Sequence, residues 1–269
     1  MKNLTSLLSA GLFCTALTSA AAADPFANIV QLDVIPGWQT PSGTQMAGLR
    51  VTLEPGWKTY WRTPGDAGIP PRFNWDGSEN LTGAQFHWPV PDVLDQNSMQ
   101  SIGYENGLVL PIELSPAEPG APITMAGEVT IGVCEEICIP VTLPFAAEIP
   151  PDGGRDGAIV AALLNQPLSG SDAGVPGAVC AIAPTQDGLE VTATLTMPNT
   201  GPVEAVVIEA GNPDVWVSQS DLLYEDNALS ATVDMVHLTA SSFALDRSAV
   251  RITLLGDGYA VDVQGCSAG

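Results

Sequence analysis

Two cysteines four residues apart, Cys134 and Cys138, lie in the run Gly132-Val133-Cys134-Glu135-Glu136-Ile137-Cys138-Ile139-Pro140. Thiols at this spacing can form a disulfide that either clamps the chain or exchanges electrons with other thiols. An extended strand would hold residues i and i+4 too far apart, because a disulfide needs Cα atoms about 4.4–6.8 Å apart. Pairing therefore requires the chain to turn back between them. Glu135 and Glu136 set two negative charges beside the sulfurs, which raises rather than lowers a thiol pKa. The pair would be a poor free attacker at neutral pH and would exchange inside a docked complex. On spacing alone, a structural clamp stands at least level with a redox relay.

Other chemistry is thin. Zinc wants four ligands, and the chain has only His87 and His237, neither at ligand spacing to the cysteines. Copper(I) would take Cys134, Cys138 and a methionine such as Met99 or Met125. There is no glycine-rich phosphate loop, no His-Glu-x-x-His and no Gly-x-Ser-x-Gly. No cofactor is called for.

The amino terminus reads as a secretory signal peptide over residues 1–23. Lys2 supplies the positive end, Leu7 to Leu17 the apolar stretch, and Ala21-Ala22-Ala23 the cleavage site. The apolar run is shorter than the ~20 residues of a membrane span, and bulky Phe13 before Cys14 argues against a lipoprotein. The formal net charge is −22, and losing Lys2 makes it more negative by one. Such a chain has no basic patch for nucleic acid and does not suit an anionic membrane surface. Four of the 5 cysteines follow the signal. In an oxidising compartment they would form two disulfides, and spacing favours Cys134–Cys138 with Cys180–Cys266 among three connectivities. The second would be a structural bridge tying the ends of the carboxy-terminal half.

The elements that must hold these residues are strands. Ile29 to Val34, Met46 to Leu53, Leu108 to Leu114 and Ile123 to Val133 alternate, and Ile139 to Phe145 leads away from the pair. Pro55-Gly56, Pro64-Gly65, Asp76-Gly77 and Pro119-Gly120 punctuate them. In the run Trp57 to Arg62, alternation predicts Trp57, Thr59 and Trp61 on one face and Lys58, Tyr60 and Arg62 on the other. Arg155 to Asn165 predicts a short helix between two β halves. Leu189 to Leu195, Val203 to Ile208, Leu229 to Val236, Val250 to Leu255 and Tyr259 to Val263 continue the strand pattern, with turns at Asp187-Gly188 and Asp257-Gly258. The expected fold class is all-β: two immunoglobulin-like sandwiches over residues 24–150 and 176–269, joined by a helix and linker over 151–175.

An ordered set of motifs resembles the amino-terminal periplasmic domain of the DsbD/ScsB thiol:disulfide interchange proteins. It runs from Pro55-Gly56-Trp57-Lys58-Thr59-Tyr60-Trp61-Arg62 and Pro64-Gly65-Asp66-Ala67-Gly68 through Trp88-Pro89-Val90-Pro91, Gly103-Tyr104-Glu105 and Val109-Leu110-Pro111 to the cysteine run. It covers about residues 28–148; the second half fits the two-sandwich layout of the ScsB branch. The resemblance implies a sandwich whose pair, here Cys134 and Cys138, cycles between dithiol and disulfide. It implies a membrane electron donor of the DsbD/CcdA type and periplasmic thioredoxin-like partners, with cytochrome c biogenesis and copper tolerance as settings. Cys138 would be the sulfur joined to the client. The family's cap loop falls at about Gln96 to Ile102, with Met99 as cap candidate, and Tyr60 and Tyr104 would line the site. The family's transmembrane and thioredoxin-like domains have no counterpart in this sequence. A separate, non-catalytic reading keeps both disulfides structural and makes the first sandwich a binding module.

Overall fold

The computed structural model describes residues 28–65, 68–96, 99–196, 202–225, 227–240 and 242–269; the expected signal peptide lies outside them. The first half holds β1 (Val30–Gln39), β2 (Gln45–Leu53), β3 (Lys58–Tyr60), β4 (Arg72–Asn74), β5 (Leu81–Phe86), β6 (Asp92–Gln96), β7 (Met99–Glu105), β8 (Gly107–Pro116), β9 (Ile123–Cys134) and β10 (Cys138–Ile149). One sheet has the order β1-β2-β8-β5 and the other β10-β9-β3-β7-β6, with β4 also on β9. Their apolar faces meet: Leu49, Leu110 and Ile112 from the first sheet share a core with Ile131, Val133 and Phe145 from the second. In β10 the buried residues Val141, Leu143 and Phe145 alternate with exposed Pro140, Thr142 and Pro144, the period of a half-buried strand.

The longest hairpin carries the site. β9 and β10 pair without a register break from Ile123↔Ile149 to Cys134↔Cys138. The three residues between the cysteines form the turn that the disulfide requires.

The helix α1 (Gly157–Leu164) begins at Asp156, whose carboxylate accepts from Ala158 N and Ile159 N at 2.8 and 3.2 Å. It docks on the first half: Ile159 is fully buried with Ile35 and Met46. Beyond it come β11 (Leu168–Ser169), β12 (Ala178–Pro184), β13 (Leu189–Thr196), β14 (Val203–Glu209), β15 (Val215–Val217), β16 (Asp221–Glu225), β17 (Ala228–His237), β18 (Arg251–Gly256), β19 (Tyr259–Gln264) and β20 (Ser267–Ala268). They make a second pair of sheets, β11-β19-β18-β14 and β15-β17-β13-β12-β20, with β16 also on β17. Cys266 bridges to Cys180 with a Cα separation of 5.7 Å. The last strand lies after Cys266 rather than before it, since β20 adds to β12 in parallel. Among the described residues, no helix is long and apolar enough to cross a membrane.

The two halves touch through β14 and β18. Ala205, Val207 and Leu255 belong to the first half's core, while Val206, Ile208, Ile252 and Leu254 fill the second's. A strand covered on both faces reads as a continuous apolar run, and Ala205-Val206-Val207-Ile208 is one.

Candidate functional site

The disulfide Cys134–Cys138 closes the mouth of the β9–β10 hairpin, with Cα atoms 4.3 Å apart. Cys134 is fully buried, whereas Cys138 is partly exposed. Between them Glu135, Glu136 and Ile137 face solvent, and Ile137 is 76% exposed. An incoming thiolate therefore meets Cys138 Sγ, with an apolar side chain beside it for a partner surface to cover. Lys58 stands opposite Cys134 in the sheet register and opposite Glu105 on its other side.

Tyr60 completes the site. Its hydroxyl lies 2.7 Å from Cys134 Sγ and 2.9 Å from Cys138 Sγ. The ring is held by the absence of a side chain at Gly132: a Cβ there would stand 2.7 Å from both Tyr60 Cδ2 and Ile69 Cβ. Gly68 packs on the other side, its hypothetical Cβ 2.9 Å from Tyr60 Cδ1. Pro64, Gly68 and Ile69, from the segment after β3, thus cover the tyrosine that touches the sulfurs. Burial raises the Tyr60 pKa above its ordinary 10.0, so the group is a protonated hydroxyl at any neutral pH. It can donate to whichever sulfur carries negative charge during exchange.

The expected alternation over Trp57 to Arg62 holds: Trp57 and Trp61 pack in the core, while Tyr60 lies with Lys58 on the face that carries Cys134. β3 ends at Tyr60, and Tyr60 and Trp61 are both buried, on different sides of the sheet. Trp61 enters the core as the chain leaves the strand, and Tyr60 is covered by the returning segment. Thr59 faces the core side and donates to Gly132 O at 2.9 Å.

The other expected lining residues are elsewhere. Tyr104 pairs with Thr59, so strand alternation turns it into the core, where its hydroxyl donates to Pro89 O at 2.9 Å. Burial pushes its pKa well up. Of the expected cap loop, Gln96 and Met99 to Ile102 belong to the paired strands β6 and β7, and residues 97 and 98 lie outside the described part. Met99 starts β7 six residues before Glu105, the residue level with Lys58 and Cys134. At about 3.3 Å per residue it stands roughly 20 Å along the strand from the disulfide; its side chain lies outside the described part. The residues sequence reasoning missed are Gly68, Ile69 and Gly132. Gly68 and Gly132 stand in the motifs that carry the family resemblance, which assigned them no part in the site.

The copper candidates separate too. Met125 is fully buried in the core, nine positions along β9 from Cys134. His87 Nε2 lies 3.3 Å from Glu113 on β8, and His237 Nδ1 accepts from Ala240 N at 3.1 Å. Among the described residues, no three His, Cys, Asp or Glu side chains gather as a metal site.

An immunoglobulin-like sandwich that presents a disulfide at one hairpin mouth is here a thiol:disulfide interchange module. Residues 29–148 match the family described as thiol:disulfide interchange protein DsbD, N-terminal. The N-terminal periplasmic domain of ScsB from Proteus mirabilis is similar in fold at 22% identity and a TM-score of 0.64. The match covers 92% of this chain and 97% of that one, so the likeness spans both pairs of sheets. The N-terminal domain of DsbD from Neisseria meningitidis, in the reduced form, matches 49% of this chain and 90% of its own at 17% identity, with a TM-score of 0.27. No curated protein matches the chain.

Proposed function

We propose that the protein is a periplasmic thiol–disulfide interchange protein. It relays reducing equivalents through Cys134 and Cys138, from a membrane donor of the DsbD/CcdA type to thioredoxin-like partners. The observation that carries this reading is the asymmetry of the pair: one sulfur is buried and one accessible, with the Tyr60 hydroxyl on both. A clamp needs no such difference.

In the reading's terms, a thiolate of the reduced donor attacks Cys138 Sγ. The Cys134–Cys138 bond breaks, its electron pair goes to Cys134 Sγ, and Tyr60 donates a hydrogen bond to that leaving thiolate. The donor's second thiolate then attacks its own sulfur in the mixed disulfide and releases Cys138. The donor leaves oxidised and the pair reduced. Passing electrons onward to an oxidised thioredoxin-like partner runs the same steps in reverse, with Cys138 attacking.

The same reading assigns residues 1–23 to a cleaved signal peptide and 24–150 to the redox domain. It assigns 151–175 to the helix and linker and 176–269 to a second β-sandwich domain stapled by Cys180–Cys266. Clients in cytochrome c biogenesis or copper tolerance suit such a relay.

Trapping tests it. Cys134→Ser leaves Cys138 free and should accumulate mixed disulfides with periplasmic thioredoxin-like proteins. Cys138→Ser, which leaves a buried sulfur, should accumulate far fewer, and Cys180→Ser none through the hairpin. Equal silence from Cys134→Ser and Cys180→Ser would favour a non-catalytic binding module instead.

A further inference from the structure

We propose that Glu209, on β14 of the second pair of sheets, is a positioning residue for the redox site and acts on the sulfurs through Tyr60. The inference rests on the reading of Cys134–Cys138 as an exchanging pair. It gives the second half of the chain a part in that exchange.

Glu209 reaches across to the two residues that follow Trp61. Its carboxylate accepts from Arg62 Nε at 3.1 and 3.2 Å and from Arg62 Nη2 at 2.8 Å. Thr63 donates its hydroxyl to the same carboxylate at 2.9 Å. Arg62 Nη2 also donates to Thr253 Oγ1 of β18 at 3.3 Å, and Thr253 is fully buried. The guanidinium carbon lies 3.7 Å from the ring centroid of Trp61. Arg62 and Glu209 are 14% and 23% exposed, so the pair is largely shielded from solvent. A forked guanidinium–carboxylate contact fixes direction as well as distance.

Those two residues are the stem of the segment that covers Tyr60. Trp61 N donates to Ile102 O, and Ile102 N to Pro64 O, both at 3.0 Å. Pro64 packs on Gly68, and Gly68 packs on the Tyr60 ring. Glu209 therefore anchors the chain two and three residues after the tyrosine whose hydroxyl lies on both sulfurs. Apolar contacts of Ala205, Val207 and Leu255 already join the two halves. The polar contact adds direction at one place, the exit from Tyr60.

Glu209 makes its polar contacts with Arg62 and Thr63. Lys58 and Glu105 flank Cys134 in the sheet, and Glu135 and Glu136 sit on the hairpin turn. The proposed route from Glu209 to the sulfurs runs along Arg62 and Thr63 to the cover of Tyr60. When the anchor is lost, the hydroxyl is no longer held on the sulfurs, and the thiolate loses its donor.

The test uses the full chain, reduced, with the pH dependence of iodoacetamide labelling read separately at Cys134 and Cys138 by peptide mass spectrometry. The two thiols titrate as a coupled pair, so the lower apparent pKa is followed. Tyr60→Phe should raise it by about one pH unit. Glu209→Ala should raise it in the same direction by about half as much, and Glu209→Gln, which keeps an oxygen for Thr63, by less. Tyr60→Phe with Glu209→Ala should match Tyr60→Phe alone, because a residue acting through another is non-additive with it. A Glu209→Ala protein that titrates like the parent, or whose effect adds to that of Tyr60→Phe, overturns the proposal. Should Glu209→Ala not fold, Thr63→Val removes one hydrogen bond of the same anchor. The same non-additivity at smaller size is then expected, and parent-like titration again overturns it. Failure of the relay reading would show separately, as absence of mixed disulfides in the trapping experiment, whatever the coupling between Glu209 and Tyr60.

Discussion

Replacing Tyr60 with Phe removes one hydroxyl and leaves the ring in its slot between Gly68 and Gly132. When a thiolate attacks Cys138, charge develops on Cys134, 2.7 Å from that hydroxyl. A hydrogen bond to a charged group is worth about 1.5–3 kcal/mol. With the leaving charge about half developed, roughly half of this is felt in the transition state, about 0.7–1.5 kcal/mol. At about 1.4 kcal/mol per tenfold, Tyr60→Phe should slow reduction of the Cys134–Cys138 bond about 3- to 10-fold. The assay is stopped-flow reduction by excess dithiothreitol, a small probe that needs no docking partner. Phe keeps the ring's bulk, so access to Cys138 is unchanged and only the donor is lost. Because burial raises the Tyr60 pKa, the hydroxyl stays protonated, and the ratio of parent to variant rates should be flat between about pH 6 and 9. An unchanged or faster rate in Tyr60→Phe would refute the role given to the hydroxyl.

Gly132→Ala should damage both stability and exchange, since its methyl would stand 2.7 Å from the Tyr60 ring and from Ile69. Overpacking of this kind costs about 1–3 kcal/mol, readable as a lower urea midpoint together with slower reduction. Cys180→Ser with Cys266→Ser opens a bridge of sequence separation 86. It should cost about 4–5 kcal/mol on the chain-entropy estimate, lowering Tm while leaving dithiothreitol reduction of the hairpin disulfide within about twofold. Glu113 has its pKa lowered, chiefly by the Thr44 hydroxyl and then by His87 and Ser42. A lowered folded-state pKa stabilises the fold above the ordinary carboxylate value of 4.5, and that stabilisation is lost as pH falls through the lowered value. Urea midpoints of the parent and Glu113→Gln should therefore differ at neutral pH and converge in acid.

The residues that could be read from sequence were those whose role is local. Cys134 and Cys138 imposed a turn by their spacing alone, and the unbroken β9–β10 register supplies it. The apolar face within Arg155 to Asn165 marked a helix, and α1 lies inside that run. Tyr60 was named from the family resemblance, and alternation set it with Lys58 on the face opposite Trp57 and Trp61. The pattern could not show the tyrosine's burial, which comes from a segment folding back over it. Tyr104 shows the converse: near the motif in sequence, it is turned into the core by the same alternation. The Ala205-Val206-Val207-Ile208 run signalled a strand but not its second covered face. Nothing local could pair Arg62 with Glu209, which are 147 residues apart; that contact follows from the packing of β14 and β18 on the first half.

The central claim is that the Cys134–Cys138 bond exchanges rather than clamps. Its reduction potential tests this most directly, measured by equilibrating the full chain in dithiothreitol buffers and reading Cys134 and Cys138 apart from Cys180 and Cys266 by differential alkylation. The account predicts a value above about −300 mV for the hairpin pair, in the range of working redox disulfides, with Cys180–Cys266 lower. A hairpin potential far below about −300 mV, level with resistant structural bridges, would contradict it.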